Sequence, residues 1–134
     1  MQRVVTVFLF VMLCAIMGCG PSGPVFHEVH GRVKLGGKDV PGAQVQFATD
    51  QKGIDAVTAI CGEDGTYKLM VPAGEHTVRI LAQKSVPAPK GLTGPYGVQI
   101  DKVTVDIIPP RYNTKSELRV TVQGPMQNDF DLQP

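Results

Sequence analysis

Apolar and polar residues alternate in two consecutive runs near the middle of the chain, at 66–71 and 77–81. Alternation with a period of two is typical of β-strands that bury one face. Turn sequences precede the first run, at 62–65, and separate the two runs, at 72–74, where proline removes a backbone donor and glycine permits a reversal. The pattern therefore predicts a hairpin of two paired strands with one apolar face.

The same alternation recurs along the rest of the chain and indicates further strands on either side of the hairpin. No segment combines helical periodicity with helix caps. We therefore expect an all-β fold, an antiparallel β-sandwich of roughly seven or eight short strands whose two sheets bury their apolar faces against each other. The additional strands are expected at 29–35, 43–47, 57–61, 103–107, 118–122 and, as a short closing strand, 130–132.

One stretch, residues 84–102, has no secure strand pattern and is interrupted by several prolines and glycines. Loops this long are uncommon in compact domains and are usually either mobile or functional. The stretch is predicted either as a mobile crossover between the sheets or as a partner-contact loop that exposes Leu92 and Tyr96. A third alternative is an additional edge strand at 98–102.

The first residues of the chain have the organisation of a secretion signal. Arg3 precedes an uncharged and almost wholly apolar run at 4–17, which is shorter than the roughly 20 residues that span a bilayer. The run ends in Ile16-Met17-Gly18-Cys19, which resembles a bacterial lipobox. The resemblance implies cleavage before Cys19 and attachment of lipid to this residue.

A short segment rich in glycine and proline separates the lipobox from the first expected strand. We therefore predict a lipoprotein signal peptide at 1–18, a flexible tether at 19–27 and one β-sandwich domain at 28–134. Gly20 follows the cysteine, and by resemblance to enterobacterial sorting this favours the outer membrane. The predicted localisation is the bacterial cell envelope, with lipid as the anchor and the outer membrane favoured over the inner.

Charge argues against nucleic acid as a partner. The sequence holds 13 Lys and Arg against 12 Asp and Glu, and its formal net charge is +1. Because Arg3 is the only charged residue in the signal segment, the mature chain would be neutral, with its signs interspersed. Proteins that bind nucleic acid need a basic patch that neutralises phosphates. The expected partners are the membrane, through the lipid, and an envelope protein or a glycan.

Candidate catalytic and metal-binding residues are few. Removal of Cys14 with the signal and lipidation of Cys19 would leave Cys61 without a disulfide partner, and a lone cysteine is usually a small buried hydrophobe. The three histidines form neither a zinc ligand set nor a base beside a nucleophile. We expect no catalytic residue, no metal and no cofactor, and we retain as an alternative an enzyme that pairs Cys61 with His76.

Four short motifs in order resemble the carboxypeptidase regulatory-like domain. They are Gly31-Arg32-Val33, Val-Pro-Gly-Ala-Gln-Val at 40–45, Asp-Gly-Thr-Tyr at 64–67 and Val-Pro-Ala-Gly at 71–74. The resemblance covers about residues 29–82 and implies a prealbumin-like, transthyretin-type sandwich related in architecture to the Ig fold. The remainder of the chain is similar to small bacterial lipoproteins built around this domain.

The sequence departs from the family pattern at two places. Cys61-Gly62 replaces the Thr-Asp pair that often opens the central turn, so a side-chain cap from that aspartate is missing. His76 replaces the tyrosine usual in the next strand. His76 is in phase with Val78 and Ile80, and we therefore expect it to point inward and to be hydrogen-bonded.

These observations predict a lipid-anchored cell-envelope protein that acts as a non-catalytic binding or structural module. The first alternative is a carbohydrate-binding domain, which needs aromatic side chains as platforms for the sugar. The chain has no Trp and only three Tyr, of which Tyr67 is expected inside. The second alternative is a hydrolase of the transthyretin-like type. The Tyr-Arg-Gly-Ser ending that marks that enzyme is absent from this sequence.

Overall fold

A computed structural model of the chain describes Gly20 and residues 23–134. In this part the chain forms two facing β-sheets and a separate two-stranded ribbon, so the predicted all-β sandwich is confirmed. Short 3-10 helices lie at Pro95–Gly97 and Pro110–Tyr112. The strands are β1 Phe26–Leu35, β2 Lys38–Asp39, β3 Gln44–Ala48, β4 Val57–Ile60, β5 Thr66–Pro72, β6 Gly74–Leu81, β7 Gln83–Pro87, β8 Lys102–Asp106, β9 Arg119–Val122, β10 Met126–Gln127 and β11 Phe130–Leu132.

The first sheet is built around β1, which is the longest strand. On one side β1 pairs antiparallel with β5 and then with β2. On the other side it pairs parallel with β10 and then with β11, so the predicted closing strand lies beside the first strand of the domain. All other strand pairs in the described residues are antiparallel.

The second sheet has the strand order β4-β3-β6-β9 and is antiparallel throughout. Val45 of β3 lies between Ala59 of β4 and Ile80 of β6. The inward residues of both sheets form one core, as the alternation predicts, because side chains two apart in a strand share a face. The largest fully buried apolar side chains of this core are Val29, Val33, Phe47, Ile80, Val45, Val71, Val78, Val122 and Leu132.

The predicted hairpin at 66–81 is wrong, because its two strands lie in different sheets. β5 pairs with β1, whereas β6 pairs with β3 and β9. At the corner between them the Ala73 N–H donates to the Val25 carbonyl oxygen over 2.7 Å, and Gly74 takes a φ of 128°. Turn residues specify that the chain reverses but not which strand it then pairs with. The two apolar faces therefore meet across the core rather than side by side.

The turn before β5 is closed by Asp64, although the aspartate usual in the resembled family is replaced by Gly62. The Asp64 carboxylate accepts hydrogen bonds from Thr66 N, over 3.1 Å, and from Thr66 Oγ1, over 2.6 Å. These bonds favour the ionised carboxylate and hold the pKa of Asp64 below its ordinary value. Gly65 has a φ of 73°, which a residue with a side chain rarely adopts. The turn motif thus supplies its own cap.

The stretch 84–102 is not a crossover between the sheets, and the edge strand expected at 98–102 is present only as an isolated bridge at Gln99 and the first residue of β8, Lys102. β7 begins at Gln83 and pairs with β8, and a bridge between Thr93 and Gln99 continues the ribbon toward its end. The strand predicted at 103–107 is therefore β8 and lies outside the sandwich. Its alternation suggests a buried face, but β8 pairs only with β7 and Val105 remains 39% exposed.

The N-terminal boundary of the domain lies slightly earlier than the sequence indicates. β1 begins at Phe26, which pairs with Pro72, and His27 pairs with Val71. The last two residues of the predicted tether at 19–27 therefore belong to the sheet. The signal peptide at 1–18 and Cys19 lie outside the described residues. Within the described part, the chain contains no helix whose length and apolar content would let it cross a bilayer.

The pairing of β1 with the C-terminal strands is interrupted between β10 and β11 without a change of register, and Gly31 leaves room there for the Asn128 carbonyl group. The Asn128 N–H donates to the His30 carbonyl oxygen over 2.8 Å, and the Arg32 N–H donates to Asp129 Oδ1 over 2.9 Å. The Arg32 N–H thus donates to the Asp129 carboxylate and not to a backbone carbonyl group. The Asn128 carbonyl faces Gly31 so closely that a Cβ there would overlap its oxygen and lie 2.7 Å from its carbon.

Gly31→Ala is expected to lower the free energy of unfolding by about 3 kcal/mol, because the added methyl group must push the Asn128 carbonyl group away from β1. Gly124→Ala is the matched control, since a Cβ at Gly124 meets nothing within 4 Å. Urea unfolding followed by far-UV circular dichroism measures both variants. Equal stabilities for the two would contradict the role assigned to the close approach.

Candidate functional site

The ribbon, residues 83–106, contributes no residue to the buried core of the sandwich. Its pairing runs from Gln83 opposite Asp106 to Pro87 opposite Lys102. Beyond these strands the Ala88 N–H donates to the Asp101 carbonyl oxygen over 2.8 Å. The hydrogen bonds described for the ribbon stay within it, so it is held to the sandwich only at its base.

The base of the ribbon is fixed by buried residues. The Ile107 N–H donates to the Ala82 carbonyl oxygen over 3.0 Å and extends the ladder into the sandwich. Ala82 and Ile108 are both buried. Asn113, also buried, donates from Nδ2 to the Ile108 carbonyl oxygen over 3.2 Å. The ribbon therefore leaves the domain in a defined direction.

The tip of the ribbon, residues 88–101, exposes apolar side chains. Tyr96 is fully exposed, Val98 is 63% exposed and Leu92 is 39% exposed. Hydrogen bonds from Gly94 N to the Val98 carbonyl oxygen, 2.8 Å, and from Ile100 N to the Leu92 carbonyl oxygen, 3.0 Å, order the tip. The structure thus brings both predicted contact residues, Leu92 and Tyr96, to the end of the ribbon.

Tyr96 has an unusual backbone conformation. Its φ of 63° places it in the left-handed region, and it is the one non-glycine residue of the described chain with a positive φ. A bulky residue in that region costs of order 1 kcal/mol or more. The conformation turns the tyrosine ring away from the ribbon and into solvent.

The ribbon and the N-terminal end of the domain lie at opposite ends of the sandwich. The bond from Ala73 to Val25 holds the start of β1 beside the corner where β6 begins. β6 then crosses the domain over 8 residues and ends at Leu81, next to the base of the ribbon. At about 3.3 Å per residue this strand separates the two ends by roughly 26 Å.

An open groove of about 790 Å³ lies on the outer face of the first sheet. Its charges are mixed and mutually compensating. Lys68 Nζ lies 2.9 Å from Glu28 Oε2, and Arg32 Nε lies 3.8 Å from Asp39 Oδ1. Polar side chains of β1 and β11, including His30 and Asp131, also line it. The groove has no excess of either sign that would select a charged ligand.

Cys61 and His76 are the pair that the enzyme alternative would require, and the structure does not join them. Both residues are buried, as expected, with exposed fractions of 4% and 1%. His76 Nε2 donates to the Pro72 carbonyl oxygen over 2.7 Å, and the ring packs edge-on against Phe47. No hydrogen bond described in the structure joins the two side chains. His76 therefore links the core to the corner after β5.

Among the residues that the structure describes, the exposed aromatic rings that could serve as platforms for a sugar are Tyr96, which is fully exposed, and Phe26, which is 44% exposed. Tyr67 is buried, as expected, and donates its hydroxyl hydrogen to the Asn128 carbonyl oxygen over 2.6 Å. The guanidinium of Arg111 lies 5.0 Å from the centre of the Tyr112 ring and covers it. In the described residues no group of three or more His, Cys, Asp or Glu side chains is arranged to hold a metal ion.

Sequence reasoning missed the free edge of β8, which carries Lys102, Thr104 and Asp106. The alternation at 102–106 predicts a strand, but it does not show that this strand lies outside the sandwich. The charged residues that begin and end this short run were the available signal, because natural edge strands often carry charges.

No protein-family model matches the sequence, and no curated protein is matched by it. The chain is similar to the crystal structure of a DUF3823 family protein from Parabacteroides merdae ATCC 43184, with 19% identity, coverage of 84% of this chain and 48% of that one, and a TM-score of 0.44. A DUF3823 family protein from Bacteroides ovatus ATCC 8483 is similar at 12% identity, with coverage of 80% and 43% and a TM-score of 0.44. The chain spans less than half the length of these two proteins.

The burial of the Cys61 thiol predicts how the free energy of unfolding depends on pH. Burial, and secondarily the Asp64 carboxylate, raise the pKa of Cys61 from 9.0 to about 11. The folded state therefore holds this proton more tightly than the unfolded state, and the free energy of unfolding falls as the pH rises from about 9 toward 11. Between pH 8 and pH 10, wild type should lose about 1 kcal/mol relative to Cys61→Ala in urea unfolding.

The matched control for this pH effect is Ile80→Val, which shortens another buried side chain without removing a titrating group. Its stability difference from wild type should stay constant over the same pH range. A constant difference for Cys61→Ala as well would show that the thiol does not titrate differently in the two states.

Proposed function

We propose that this chain is a lipid-anchored protein of the bacterial cell envelope that acts as a non-catalytic binding module, with the ribbon tip as its contact surface. The observation that carries the proposal is the exposure of Leu92 and Tyr96 at the end of a ribbon that contributes nothing to the core. Exposed apolar clusters on a projecting element are characteristic of surfaces that bind a partner.

The energetics of Tyr96 support this use of the tip. A tyrosine brings a large, rigid contact area, and aromatic residues at the centre of an interface commonly dominate its binding energy. In the free protein the ring has no neighbours to offset the strained backbone that presents it. Burial of Tyr96, Val98 and Leu92 in a partner's pocket would offset that strain.

The direction of the ribbon supports an envelope partner rather than the anchoring bilayer. The tether would leave the domain at Val25, at the end of the sandwich far from the ribbon. With lipid on Cys19, the tip would face away from the membrane, toward other components of the envelope. By its +2 residue, Gly20, the favoured anchoring membrane is the outer one.

The finer family assignment belongs to the same proposal. We infer a carboxypeptidase regulatory-like domain of the prealbumin type, supported by the motifs at 64–67 and 71–74. In the sandwich these motifs occupy the capped turn before β5 and the corner after it. Both motifs thus serve to pass the chain from one sheet to the other.

A glycan is the second candidate partner, and one observation favours it. Tyr96 presents its ring to solvent, as carbohydrate-binding platforms do. A glycan array probed with the wild-type protein and with Tyr96→Ala distinguishes the two candidates. Binding that disappears in the variant would identify a glycan, whereas an empty array leaves a protein partner.

Replacement of residues 89–100 by Asn-Gly should abolish capture of the envelope partner in a cross-linking pull-down from intact cells. Ala88 and Asp101 form a hydrogen-bonded pair, which is the flanking geometry that a two-residue type I′ turn requires. The shortened ribbon should therefore still fold, and only the tip is lost. The double variant Leu92→Ser and Tyr96→Ser should reduce capture at least about tenfold, as expected for loss of a hot spot.

Ile60→Ser is the control for these tip variants, because Ile60 is a 67% exposed apolar residue on the second sheet, outside the ribbon. It should leave capture unchanged. If the shortened chain retains every partner of the wild type, the tip is not the contact surface.

Cys19→Ala should prevent lipidation and move the protein from the membrane fraction to the soluble fraction. Mass spectrometry of the wild type should find a mature chain that begins at Cys19 and carries the added mass of its acyl groups. An unmodified amino terminus in the membrane-bound wild type would contradict the proposed anchor.

A further inference from the structure

One edge of the ribbon carries backbone groups without partners. In an antiparallel pair, hydrogen-bonded and non-hydrogen-bonded residue pairs alternate. The bonds from Ala88 to Asp101 and from Ile107 to Ala82 mark two hydrogen-bonded pairs and so fix the alternation. Val103 and Val105 must then bond to β7. The N–H and C=O groups of the remaining residues of β8 point away from β7, and these residues are Lys102, Thr104 and Asp106.

The opposite edge of the ribbon is less suited to pairing. Its outward residues are Gln83, Ser85 and Pro87, which face the outward residues of β8 in the register. Pro87 has no backbone N–H, so this edge lacks one of its donors. Natural sheets commonly protect an edge in this way. β8 has no proline and pairs with no further strand in the described chain, so its edge remains open.

The sequence of β8, Lys-Val-Thr-Val-Asp, is complementary to itself when it is read in the opposite direction. We propose that two copies of the chain associate through β8, antiparallel, about a two-fold axis at Thr104. Lys102 then lies opposite Asp106 of the second copy, and Thr104 lies opposite its own equivalent. The product is a four-stranded antiparallel sheet with the two β8 strands at its centre, which is the self-complementary type of contact that closes a dimer.

The backbone geometry of this pairing fits the groups that are available. The outward residues of one β8 meet the outward residues of the other, so they form hydrogen-bonded pairs and contribute about six new backbone hydrogen bonds. Val103 lies opposite Val105 of the second copy in a non-hydrogen-bonded pair, where side chains approach most closely. The 39% exposed face of Val105 would thereby be covered.

Charge selects this register over its neighbours. A shift of one residue would place outward backbone groups opposite inward ones and would break the ladder. A shift of two residues keeps the ladder but places Thr104 of the second copy opposite Lys102 or opposite Asp106. Both ion pairs are then lost. The register centred on Thr104 is therefore the one that pairs opposite charges at both ends.

The first test is analytical ultracentrifugation of the full chain in detergent, over a concentration series, with wild type and two proline variants. Thr104→Pro removes an outward donor at the two-fold axis and should raise the dimer dissociation constant at least about 100-fold. Ser85→Pro is the matched control, because Ser85 faces Thr104 in the register and its N–H also points outward. It should change the constant less than about twofold.

The second test is a charge exchange, which does not depend on how well proline is tolerated. Lys102→Asp and Asp106→Lys each place like charges opposite each other across the axis and should weaken the dimer about tenfold. The double variant restores opposite charges in reversed order. It should return the dissociation constant to within about threefold of the wild-type value.

Three results would overturn the proposal. The first is a wild-type chain that stays monomeric at all concentrations. The second is a dimer that Thr104→Pro and Ser85→Pro weaken equally. The third is a double charge variant whose dimer is weakened by as much as the two single variants combined. Because the inference does not use the tip, the chain with 89–100 replaced should still dimerise, and its failure to capture a partner tests the proposed function separately.

Discussion

The approach of the Asn128 carbonyl group to Gly31 is the contact that joins the two ends of the domain. β1 begins the sandwich and the strands around Asn128 end it, so this contact closes the first sheet across nearly the whole chain. The Tyr67 hydroxyl, reaching out of the core, donates to the same carbonyl oxygen. Its ring stacks on Phe130, 6.0 Å between centroids, and Phe47 lies 6.5 Å away on the other sheet. The Asn128 carbonyl group thus contacts β1 directly and, through Tyr67, is linked to β5 and the core.

Side-chain periodicity was sufficient to predict the faces of the strands. Val45 and Ile80 point inward as the alternation requires, and His76 follows the same phase into the core. Periodicity carries this information because burial acts on each strand separately. Periodicity does not predict which strand each strand pairs with, because pairing depends on contacts between residues far apart in the sequence. For this reason the corner at 72–74 was interpreted as a hairpin, and the parallel position of the closing strand was not foreseen.

The candidate site was predictable only in part, for a related physical reason. Leu92 and Tyr96 were identified because the stretch around them lacks a buried pattern, and they are exposed at the tip. The strands that support the tip were missed. A ribbon with solvent on both faces has no strong selection for apolar residues, so β7 carries Gln83, Lys84 and Ser85 in sequence. The free edge of β8 depends on hydrogen-bond phase, which only the register reveals.

If the chain carries the proposed lipid anchor, the tip and the open edge of β8 together restrict how it can be arranged on a membrane. In a monomer the ribbon would extend away from the anchored end. In the antiparallel dimer the two sandwiches point in opposite directions from the axis at Thr104, so their tethers leave from opposite ends of the assembly. The lipids of both copies can reach one bilayer only if the dimer lies along its surface. Each tip lies about seven residues, or roughly 23 Å, from the axis, whereas the base lies about 10 Å from it, so each tip extends past the base of the other copy. Dimerisation would therefore move Tyr96 from the far end of one sandwich to the side of the other, and it would change which surface a partner meets.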